Sequence, residues 1–172
     1  MDTFFHVVSP EVADHCQTEL EQDAGVVKAR TVWNGTNGDQ LTFNDYFLDG
    51  FQLTNFTGHL TQTLQAELEV HRPWIGMLFH FNGSVSSRQC ALKPLHLQNG
   101  QHSLVGDETT RNHYAFRPQD GEYQFFTAHL THEFFQKLLT GNAEWLGLHD
   151  RWLNRPDPFA LPPAGLQSSP MA

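Results

Sequence analysis

The stretch Trp74-Ile-Gly-Met-Leu-Phe-His-Phe-Asn-Gly83 decides how the rest of the chain is read. Successive residues of a strand point to opposite faces. Met77, Phe79 and Phe81 therefore share one side, and Leu78 and His80 take the other. The Asn82-Gly83 pair that closes the stretch supplies the positive φ angles of a tight turn. Asn-Gly recurs at Asn34-Gly35, Asn37-Gly38 and Asn99-Gly100, which predicts repeated antiparallel hairpins. Strand-like runs lie between these turns: Val26 to Trp33, Leu41 to Leu48, Phe51 to Phe56, Trp74 to Phe81, His113 to Phe116 and Tyr123 to Leu130. Leu60 to Val70 also fits a helical spacing through Leu60, Leu64 and Leu68, but Thr61 and Thr63 favour strand. The expectation is a mainly β domain.

Helices are expected at the margins. Ser9-Pro10-Glu11 has the order of an N-cap, a first-turn proline and an acid facing the dipole, predicting a helix from Pro10 to Leu20. Two more are predicted after the strands, Thr131 to Thr140 and Ala143 to Trp152, separated by a Gly141-Asn142 stop. In the first of these Thr131 is the cap and Glu133 meets the positive helix end. Phe134, Phe135, Leu138 and Leu139 form an apolar face for packing or subunit pairing. From Arg155 onward the composition is Pro-rich, so the chain divides into a domain over 1–154 and a linker over 155–172.

The chain has 172 residues, enough to bury a core without metals or disulfides. Its formal charge of -9 repels phosphate and disfavours direct nucleic-acid binding. Cys16 and Cys90 follow no paired spacing, and the N-terminus lacks the basic start and apolar run of a signal peptide, which together predict a cytoplasmic protein. No run approaches a membrane span. The sequons at Asn34, Asn55 and Asn82 then read as turn residues.

The sequence carries no GxSxG elbow and no phosphate-binding glycine motif, so no catalytic residue is assigned and no enzyme is expected. Eleven histidines invite a metal reading, but no two are separated by a single residue as alternate ligands on one strand would be. His129, His132 and Glu133 match neither HExxH nor HxxEH. No metal or cofactor is therefore expected. Trp74, His80, His102 and His113 combine ring surface with a polar handle and are the candidates for contacting a small molecule.

Taken together, Met77, Phe79, Phe81 and Gly83, then Gln101, His102 and Leu104, then Thr131, Phe134, Phe135, Leu138 and Leu139 resemble the N-terminal effector-sensing domain of AraC-type bacterial transcriptional regulators, in particular the pyochelin-regulator-like subgroup. The resemblance covers roughly Ile75 to Trp145. It implies a cupin-like, jelly-roll type antiparallel β-barrel that binds a small effector, followed by a C-terminal helical pair that joins two subunits. DNA would be read only by a helix-turn-helix domain absent from this chain. The alternative is a stand-alone cupin-type metalloenzyme whose histidines cluster only in space.

Overall fold

The computed structural model describes residues 5–7, 10–70, 74–89, 95–107, 111–118, 122–140, 159–160 and 164–165. In chain order the elements are β1 (Phe5–Val7), α1 (Pro10–Ala13), β2 (Cys16–Asp23), β3 (Val26–Asn34), β4 (Gln40–Leu48), β5 (Phe51–His59), β6 (Leu64–Val70), β7 (Trp74–Asn82), β8 (Val85–Gln89), β9 (Leu95–Leu97), β10 (Gln101–Asp107), β11 (Arg111–Phe116), β12 (Tyr123–Leu130), α2 (His132–Leu139), β13 (Phe159–Ala160) and β14 (Ala164–Gly165). A short 3-10 turn, Thr36–Gly38, joins β3 to β4.

The strands form two antiparallel sheets rather than one closed barrel. One runs β1-β6-β11-β8-β9; the other runs β13-β10-β7-β12-β5-β4-β3-β2, with β14 also on β10. The inner faces meet in an aromatic core. Phe56 stacks on Phe116 of the opposite sheet at 5.2 Å and meets Phe43, Phe125 and Tyr123 edge-on. Such pairs add to the area they bury, because ring edges and faces carry opposite partial charge. Trp33, Leu41, Leu60, Leu97 and Val85 complete this core.

The predicted strands hold, mostly extended by a residue or a few; in Leu60 to Val70 the strand begins at Leu64. The predicted helix from Pro10 to Leu20 does not hold beyond Ala13. From Cys16 onward the chain pairs with β3 along its full length, Cys16 with Trp33 to Asp23 with Val26. A long ladder of backbone hydrogen bonds outweighs the weak helical preference of so short a segment. Ala24 and Gly25, both with positive φ, make the two-residue turn.

The Asn-Gly pairs do not all make hairpins. Asn82-Gly83 and Asn99-Gly100 stand where the chain crosses between the sheets, at β7 to β8 and β9 to β10. The two corners clasp each other: the Gly83 N–H donates to Asn99 Oδ1 at 2.6 Å, and the Asn99 amide donates to Asn82 Oδ1 at 3.2 Å. Asn55 lies inside β5 and is not a turn residue.

At the C-terminal side α2 starts as expected, with the Thr131 hydroxyl accepting from the Phe134 N–H at 3.2 Å and Glu133 in the first turn. The expected helical pair is described only in this first member, since Ala143 to Trp152 lies outside the described residues. Within the 155–172 segment, 159–160 and 164–165 pair with β10 as short strands. Among the described residues, no helix is long and apolar enough to cross a membrane.

Candidate functional site

Between the sheets lies a cavity of about 440 Å³, within the range of small-molecule sites. Register explains its walls. In the large sheet the inward row Ala29, Asp45, Thr54, Thr127, Leu78 runs across β3, β4, β5, β12 and β7. The next row contains Phe47, Gln52, His129 and Gly76. Apolar residues on these inward strand faces thus give way to polar ones near the α2 end of β12. The facing sheet contributes Leu68, Val85, Leu97, Tyr114 and Phe116. One wall therefore carries a polar stripe while the other is mostly apolar. Thr18 and Leu20 line the side at β2; Leu20 is 65% exposed, which marks an opening to solvent there.

The stripe is internally ordered. Asp45 Oδ1 accepts from the Thr54 hydroxyl at 2.5 Å and from the Gln52 amide at 2.9 Å. Among the described residues no hydrogen bond reaches Asp45 Oδ2. Burial pushes the Asp45 carboxyl above its usual range, and the Thr54 and Gln52 hydrogen bonds pull in the opposite direction. The Thr127 hydroxyl and His129 Nδ1 are 3.5 Å apart. Burial pushes the His129 imidazole down to about 3, so it is neutral at physiological pH. Cys16 also lines the cavity, where burial raises its thiol.

The sequence candidates do not converge on this cavity. Trp74 is buried, its indole lying over Gly76 and meeting the His129 ring edge-on at 4.8 Å, so it backs the wall without lining it. A side chain at position 76 would collide with that ring, which is why glycine stands there. His80 is fully buried beside Tyr123 and Phe125. Burial lowers its pKa and the Gly83 backbone opposes this; neither ring nitrogen reaches good hydrogen-bond geometry with a partner among the described residues. His102 takes the other face of the sheet, stacked on Phe79 at 5.9 Å. His113 is exposed on β11, opposite Glu67 and Arg88. Among the described residues no three His, Cys, Asp or Glu side chains are grouped as a metal ion would need.

On α2 the apolar stripe is divided. Phe134 stacks on Phe51 at 5.4 Å and Leu139 is buried, whereas Leu138 is 59% exposed. Asp45, Gln52, Thr54 and Thr127 are not among the residues the sequence singles out, and His129 enters there only in a spacing that fits no metal motif. Their one signal is that each shares the inward phase of its strand with Leu, Phe or Tyr.

No family model and no curated protein matches the chain. Among solved structures it is similar to a DUF1255 protein of unknown function from Acinetobacter sp. ADP1, at 16% identity and a TM-score of 0.38, over 64% of this chain and 98% of that one. It is also similar to the AraC-like transcriptional activator CuxR, at 8% identity and a TM-score of 0.43, over 83% of this chain and 54% of CuxR. A third likeness is to FeII HppE, at 13% identity and a TM-score of 0.41, over 65% and 64% of the two chains. These likenesses are distant.

Proposed function

We propose that this chain is the effector-binding and dimerisation domain of an AraC-type transcriptional regulator, built on a cupin-like fold and reading DNA only through a separate domain. The observation that carries the binding half is the cavity with its ordered polar stripe. An apolar chamber with a few oriented polar groups is what fixes a small molecule in one pose. The regulatory half rests on the resemblance read from the sequence.

The geometry suggests how occupancy is transmitted. His129 lines the cavity, and β12 runs on from it through Leu130 to Thr131, which caps α2. Val12 and Ala13 of α1 line another part of the wall. A ligand that favours one packing of β12 shifts α2, and the exposed Leu138 is the part of that helix left to meet a second subunit.

The test is a thermal-shift screen with siderophores, sugars and aromatic metabolites, run on the wild-type chain and on Leu78→Trp, which fills the cavity. A ligand at a hundred times its dissociation constant adds about 2.7 kcal/mol to the wild type. The reading requires a hit that Leu78→Trp abolishes, and a hit of equal size in both would count against it. An open frame after codon 172 that encodes a helix-turn-helix domain would support the regulatory half, and metal-dependent turnover by the purified chain would replace it with an enzyme.

A further inference from the structure

The charge pattern of the cavity narrows its ligand. Asp45 is the one ionic side chain among its described lining residues, and no lysine or arginine lines it. His129 is held neutral by burial, so it offers no positive charge to balance an anion. Asp45 is itself fastened by Oδ1 alone, through Thr54 and Gln52, which fixes its orientation. A carboxylate that is half-buried, oriented and without a cationic partner among the described residues is costly to the fold. An acidic ligand would add a second negative charge in a poorly solvated space, which is more costly still.

We propose that the cavity takes a hydrophobic amine, whose ammonium donates to Asp45 Oδ2 while its apolar body lies against Leu68, Val85, Tyr114 and Phe116. This rests on the proposed ligand-binding reading and specifies the ligand class for it. The chemistry is a charge-assisted N–H···O bond, stronger than its neutral counterpart, formed where water competes poorly. Thr54 and Thr127 lie in the same cross-strand row as Asp45 and supply hydroxyls for a second polar atom on the ligand.

The experiment uses Nile red, a neutral apolar dye, as the reporter of cavity occupancy. It is competed with phenylbutylamine, phenylbutanol and phenylbutyrate, probes of similar length that differ in charge. In the wild-type chain the amine should displace the dye at a concentration at least about tenfold below the alcohol, with the acid weakest. In Asp45→Asn the dye still binds, and the amine's advantage over the alcohol falls to about threefold or less. An acid as effective as the amine, or an amine advantage that survives Asp45→Asn, overturns the proposal and leaves the cavity-binding reading standing. Failure of Nile red to bind the wild type, or equal binding by Leu78→Trp, overturns the reading and the proposal together. The order of the three probes in the wild type decides the question by itself if Asp45→Asn does not fold.

Discussion

Asp39 and Asp45 are two acids at the ends of one strand-bounded core, and they are used in opposite ways. Asp39 is 2% exposed, and its Oδ1 accepts from both the backbone N–H and the hydroxyl of Thr61, at 2.6 and 2.7 Å. It ties the segment between β5 and β6 to the turn before β4. Around it the core is solid, with Trp33, Leu41, Leu60 and Tyr123 all buried. Asp45 is held by side chains of the adjacent strand and faces empty space. The same charged group therefore closes one end of the core and furnishes the other.

Phe56→Ala, at the boundary between the two ends, should cost about 3–5 kcal/mol by denaturant unfolding, since it removes the ring on which four other aromatic rings converge. Acid should act through the open end. The His129 pKa is depressed in the folded state, so its contribution to stability is present above the ordinary value of 6.5 and lost as pH falls toward about 3. Unfolding free energies across that window should show a loss of roughly 3–5 kcal/mol that His129→Gln makes much shallower. His80, also depressed by burial, acts in the same direction, so the variant difference is the informative quantity. At the closed end, the Tyr123 hydroxyl donates to the carbonyls of Ser84 and Arg117. Tyr123→Phe should cost about 1–2 kcal/mol and leave Nile red affinity unchanged. Leu138→Glu on the exposed side of α2 should change stability by no more than about 0.5 kcal/mol and convert the proposed dimer to monomer in sedimentation velocity.

The strand framework and the start of α2 were the legible parts. Alternating apolar residues mark β3, β4, β5, β7 and β12, and Thr131 and Glu133 announce α2, because these signals act over a few neighbouring residues. β2 was hidden because CQTELEQD is largely polar and, as the edge strand of its sheet, exposed along nearly its whole length, so its identity comes from pairing with β3. The site was illegible for a related reason. Asp45, Thr54, Gln52, Thr127 and His129 are ordinary residues on three strands, and only the registers between β4, β5 and β12 place them in adjoining rows. Rings with polar handles, the basis for choosing Trp74, His80, His102 and His113, identify residue types that serve equally well in walls and on outer faces.

The most direct test compares Asp39→Asn with Asp45→Asn by urea unfolding at neutral pH. Asp45 has a folded-state pKa raised by burial, so its contribution to stability is present below the ordinary carboxylate range and lost as pH rises through the folded value. Its ionised form thus opposes folding at neutral pH. Asp39→Asn should lose about 1–2 kcal/mol, while Asp45→Asn should be as stable as the wild type or more so, an advantage that fades on acidification. A loss at Asp45→Asn as large as that at Asp39→Asn would mean that the carboxylate at 45 serves the fold and not a ligand.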